Sequence, residues 1–112
     1  MGRWMHIREE LPLTLPSPVS VRRSDTERME AQLAEWAAII AQCRASAYRA
    51  AGGTRIELDR LADELQFLRN EAGAQVMLLK RSMDIDWEGS VAALDRSWRT
   101  IRTTFRKAEA RF

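Results

Sequence analysis

Few residues in this 112-residue chain could carry out chemistry on a substrate: one cysteine, Cys43, one histidine, His6, and close carboxylate pairs such as Asp59 with Asp63 and Asp84 with Asp86. A reactive thiol needs a base or a helix N-terminus to favour the thiolate. Cys43 instead falls on an apolar ladder, where a thiol behaves as a small hydrophobe. One His and one Cys cannot assemble the three or four ligands of a zinc site, and a single Cys excludes an internal disulfide. Paired carboxylates act as acid and base only inside a concave, partly dry site, whereas here they lie in a chain that is 30% charged. Phosphate loops and nucleophile elbows are absent. The residues predict a non-enzymatic protein with no metal, no cofactor and no small-molecule substrate.

The remaining chemistry is that of charge. Arg96, Arg99, Arg102, Arg106, Lys107 and Arg111 crowd the end of the chain against Glu109 alone. With Trp98, Ile101, Phe105 and Phe112 on another face, this segment reads as a basic amphipathic helix. Such a helix can lie on an anionic membrane or meet the phosphates of a polyanion. The competing expectation is pairing within the chain, because Asp59, Asp63, Glu64 and Glu71 would run antiparallel to these arginines. Register favours the pairing, with each exposed pair contributing under about 1 kcal/mol. The whole chain has 18 basic and 16 acidic residues, so its small positive surplus does not point to nucleic acid.

Three apolar ladders supply the elements that would hold these groups. Trp87, Val91, Leu94, Trp98, Ile101, Phe105, Ala108 and Phe112 step by 4 and 3 without a break, which is one seam along a helix. Met29, Leu33, Trp36, Ile40, Cys43, Ala47 and Ala50 do the same upstream. Ala34, Ala37, Ala38, Ala41 and Ala45 widen that face, either because the helix touches neighbours on two sides or because alanine simply favours helix. Leu58, Leu61, Leu65, Leu68, Ala72, Val76, Leu79 and Met83 make a third seam. Two steps of 4 meet at Ala72, beside Gly73, which marks a local unwinding and a weak point. Phe67, Ala74 and Leu78 lie off that seam and suggest a second contact face. Trp36, Trp87 and Trp98 sit on the seams as core anchors.

Glycine and capping residues set the boundaries. Ser24 or Asp25 can cap the first helix, with Glu27 at capping-box spacing from Ser24. Gly52-Gly53 is a break or hinge, since each glycine costs roughly 1 kcal/mol inside a helix. Thr54 can cap the second helix and Asp86 the third. The expected helices are about 25–51, 54–83 and 86–112, in one coiled-coil domain over 25–112.

Residues 1–24 hold Pro12, Pro16 and Pro18 and no helical period, and read as a disordered tail. Met29 is an alternative start, which would make the tail either a leader or an artefact of start assignment. Trp4 beside Met5 and Ile7 is either a short docking motif or part of that disorder. No apolar run is long enough to cross a membrane as a helix. The expected compartment is the cytoplasm, with the periphery of the inner membrane as the alternative.

The segment from Asp86 to Phe112 resembles the last helix of small bacterial coiled-coil proteins of unknown function. The resemblance rests on Trp87 and Trp98 eleven apart, Phe105, Lys107-Ala108 and the terminal Arg111-Phe112, with Arg55-Ile56-Glu57 and Leu68-Arg69 upstream. It implies helices, association and a stress-linked or envelope-adjacent role, and it carries over no catalytic residue. Such proteins run through the 52–53 region as continuous helix, and Gly52-Gly53 departs from that pattern.

Two all-α architectures satisfy the ladders: an antiparallel up-down-up three-helix bundle, or a long helical hairpin that oligomerises. The expected function is self-association, as a dimer or tetramer, or capture of another helical protein. Its carriers would be Leu33, Trp36, Ile40, Leu58, Leu61, Leu65, Trp87, Leu94, Trp98, Ile101 and Phe105. The alternative is a peripheral binder of anionic membrane or polyanion through the six basic residues of the last helix.

Overall fold

A computed structural model of the chain describes residues 18–82 and 85–112, with side chains from Val21 onward. Three helices follow one another: α1 over Pro18–Arg49, α2 over Gly52–Arg81 and α3 over Trp87–Glu109. Trp4, His6, Met83 and Asp84 lie outside the described residues, as does the expected tail up to residue 17.

Helix α1 begins seven residues earlier than its capping signal, so residues 18–24 belong to a helix and not to a tail. Proline is suited to a first helical position, where its missing amide would have had no partner and its fixed φ is already helical. Ser24 and Asp25 are therefore interior positions. Asp25 uses its carboxylate elsewhere, accepting a hydrogen bond of 2.8 Å from Trp87 Nε1. Thr26, also interior, turns its hydroxyl back onto the Arg22 and Arg23 carbonyls and is buried.

The break at the glycine pair is real. Gly52 has φ of +62°, in the left-handed region that costs other residues roughly 1–2 kcal/mol. A side chain there would meet nothing within 4 Å, so backbone conformation alone selects glycine. This turn starts α2 two residues ahead of Thr54. Ala51 occupies the cap position with no side-chain hydrogen bond, and Thr54 does not serve as the cap. Helix α2 then runs unbroken through Gly73. The cap of α3 is as expected: Asp86 accepts from the Gly89 amide at 3.1 Å. A Cβ on Gly89 would occupy the space of the Asp86 carboxylate. Glu109, rather than Phe112, ends the helix.

The packing is that of an up-down-up helical bundle. Contacts between α1 and α2 pair late residues with early ones: Arg44 with Asp63 and Glu30 with Lys80. Helix α3 returns parallel to α1, with Trp87 at Asp25 and Asp95 at Arg28. Small groups bring α1 and α2 close. Cys43, Ala47, Ala62 and Ala72 are almost wholly enclosed, and Cys43 Sγ reaches the Leu58 carbonyl at 3.4 Å. The third helix meets this pair with large side chains. Trp36 stacks on Phe105 with centroids 4.9 Å apart and planes 10° apart, and meets Trp98 at 5.1 Å and 51°. Offset and tilted aromatic pairs of this kind add roughly 0.5–1.5 kcal/mol beyond their burial. The polar edge of Trp98 is satisfied by Gln75, whose Oε1 accepts from Nε1 at 2.9 Å. Among the described residues no buried side-chain nitrogen or oxygen lacks a partner.

Candidate interaction surface

The seam residues lie within the bundle. Leu33, Trp36, Ile40, Leu58, Leu61, Leu65, Trp87, Trp98, Ile101 and Phe105 are all buried in one core, together with Ile39. Leu94 departs from its ladder and is only half-buried. It faces a groove between the end of α2 and the start of α3, beside Leu78, Leu79 and the small residues Ser90, Ala93 and Ser97. Leu94 packs partly against the core and lines this groove with its other side. Because the other seams are enclosed by their own chain, they are not available as an outward association face.

Cys43 has the environment of a structural thiol. Burial pushes its pKa up from the ordinary thiol value, and the Asp59 carboxylate pushes the same way. The Arg44 and Arg111 guanidiniums pull against them without winning. The thiolate needed for attack is thus disfavoured. Among the described residues no group of three His, Cys, Asp or Glu side chains could hold a metal ion.

Only Arg111 of the basic residues pairs as the expected register has it, with an acid at the start of α2. Asp63 pairs with Arg44 of α1 at 3.3 Å, and among the described residues the one ion pair that reaches α2 from the C-terminal basic cluster joins Arg111, just past the end of α3, to Glu57 at 3.7 Å. Arg102 is half-buried and donates to the Asp95 carbonyl at 3.1 Å. Arg96, Arg99, Arg106 and Lys107 are exposed and form no ion pair with any described residue. The reason is positional. Helix α3 presents Trp98, Ile101 and Phe105 to both neighbours, so these four cations point away from the acids of α2. Glu35 and Glu109 border the cleft that holds Arg102 and Arg106, which tempers the positive field there.

The outer face of α2 is the second feature. Ile56 is 59% exposed, Phe67 61% and Leu78 69%, with Met77 and Ala74 also outside the core. The second contact face expected from Phe67, Ala74 and Leu78 is therefore present and uncovered by described residues. Ile56 and Met77 extend it, and neither was identified from its own ladder. The signal was the spacing: Ile56, Phe67 and Leu78 are each eleven residues apart. Eleven residues make roughly three helical turns, which puts the three side chains on one line. The alanines Ala34, Ala37, Ala38, Ala41 and Ala45 of α1 likewise lie outside the core.

Comparison of the chain with protein-family models, with curated proteins and with solved structures finds no match in any of the three.

Proposed function

We propose that this chain is a non-enzymatic interaction module, a three-helix bundle that acts by binding a second copy of itself or another helix. The observation that carries this reading is the apolar line on α2. Its side chains take no part in a core that is already closed, and large exposed apolar patches on small domains mark interaction sites. The weakly nucleophilic Cys43 and the solvated carboxylates support a role without catalysis. The cytoplasm is the compartment in which we place it. No helix among the described residues is long and apolar enough to cross a membrane.

Association that stabilises the folded state makes the melting temperature depend on concentration. A rise in melting temperature across a hundredfold increase in chain concentration is the expected result. A melting temperature that stays fixed over that range contradicts self-association.

A second reading is favoured by the unpaired cations of α3. Arg96, Arg99, Arg106 and Lys107 form a basic face that can bind an anionic membrane surface or another polyanion, each charge adding about 1 kcal/mol near anionic lipid. Such a role would place the protein at the inner membrane. Flotation with anionic vesicles at low ionic strength, and release at high salt, is its expected behaviour. Absence of flotation at low salt removes it.

A further inference from the structure

The cations of α3 that pair with no described residue lie on its outermost row. Ala92, Arg96, Arg99, Thr103, Arg106 and Ala110 step by 4 and 3 along the exposed side of the helix, with Lys107 beside them. The side chains that could enter a bilayer are on the opposite side, where Trp87, Trp98, Ile101 and Phe105 are buried in the core. Alanine is the only apolar residue type on the row. The Thr103 hydroxyl donates to the Arg99 carbonyl of its own helix at 3.0 Å. The row therefore presents four cations over about 16 Å of helix and nothing that can enter hydrocarbon.

The surrounding acids decide which anionic partner fits. Asp95 is taken by Arg28 of α1 at 3.3 Å, and Glu109 borders the cleft it shares with Glu35. Glu88 opens the row, eight residues or about 12 Å before Arg96. Glu35 of α1 and Glu64 and Glu71 of α2 are exposed, but on helices set back from the row by the ~8–10 Å between packed helix axes. That is about one screening length at ~0.1 M salt. A flat surface meets the outermost row alone, so it meets the cations first and these acids hardly at all. A flexible strand that wraps around the helix meets both, and the row holds no aromatic side chain on which a base could stack. Charge and shape together favour a plane over a polymer.

We infer that the outer row of α3 lies flat on the headgroups of an anionic bilayer and binds by charge alone, with the bundle closed and no side chain in the hydrocarbon. This inference deepens the membrane reading and rests on it. A basic amphipathic helix on its own would bury its apolar half in the bilayer. In this fold the core has already taken that half, which leaves only the screened attraction of Arg96, Arg99, Arg106 and Lys107 for the headgroups.

The test uses the full chain with Trp4→Phe, so that emission comes from Trp36, Trp87 and Trp98, and vesicles of equal parts phosphatidylserine and phosphatidylcholine. At low ionic strength the chain is expected to float with the vesicles, and high salt to release it. A spin label in the acyl chains should leave the emission unquenched. Arg96→Gln, Arg99→Gln, Arg106→Gln and Lys107→Gln together should lower binding several hundredfold, about fivefold for each charge, with circular dichroism unchanged. Flotation with quenching means that α3 leaves the bundle and inserts, which overturns the inference and leaves the membrane reading standing. Undiminished flotation of the variant lacking the four charges puts the contact on another surface and overturns the inference likewise. No flotation at low salt overturns both, and retardation of duplex DNA in that case gives the row to nucleic acid.

Discussion

Trp98 illustrates how one residue holds this bundle together. Its ring is 1% exposed, packs against Trp36 and still places its N–H on Gln75. Trp98→Ala should destabilise the fold by about 3–5 kcal/mol, as expected for truncation of a buried aromatic. Chemical denaturation followed by circular dichroism checks this, and an unchanged midpoint would remove Trp98 from the core. Cys43 makes a complementary prediction. Its folded pKa is raised, so the native state holds the thiol proton more tightly than the unfolded chain does. Its contribution to stability is intact below the ordinary thiol value near 9.0 and is lost as pH rises above it. A thiol reagent at neutral pH should label Cys43 only as fast as the bundle opens, and rapid labelling of the native protein would contradict its enclosure.

Helices are where glycine decides the architecture. Gly52 and Gly73 are both glycines in helical segments, yet they do opposite things. Gly52 has positive φ and makes the turn between α1 and α2. Gly73 lies within the regular run of α2, and a Cβ there would meet only Leu33 Cδ1 at an ordinary 4.0 Å. Gly52→Ala should therefore lower stability by about 1–2 kcal/mol, the cost of a left-handed backbone. Gly73→Ala should raise it by up to roughly 1 kcal/mol through helix propensity. Thermal melts of the two variants should move in opposite directions.

Element boundaries were legible to different degrees, for physical reasons. The 4-3 ladders exposed the core because burial on a helix repeats with the helical turn. Asp86 was legible as a cap because its carboxylate accepts an amide only three residues on, that of Gly89. The start of α1 was not, since Pro18 can open a helix as readily as it can end one. Asp25 looked like a cap but serves Trp87, a partner 62 residues away that only the fold brings near. The two candidate architectures could be separated only by the backbone at Gly52.

For the molecule as a whole, the bundle closes its seams within one chain and leaves two surfaces outward. One is the apolar line of α2 and the other is the cationic face of α3. The first was partly visible beforehand through Phe67, Ala74 and Leu78, while Ile56 and Met77 joined it once their exposure was known. The pairing of the C-terminal arginines with α2 acids holds for Arg111, which meets Glu57, but not for the others, because matching signs along two antiparallel helices do not fix how each helix is rotated. Rotation is set by Trp98, Ile101 and Phe105 seeking the core, and it turns Arg96, Arg99, Arg106 and Lys107 away.

The central claim is that this closed bundle associates with a second copy of itself through its outer face. The most direct measurement is the absolute mass of the full chain by light scattering after size exclusion. The account predicts twice the 12.9 kDa of one chain. A mass of one chain at every concentration would contradict it.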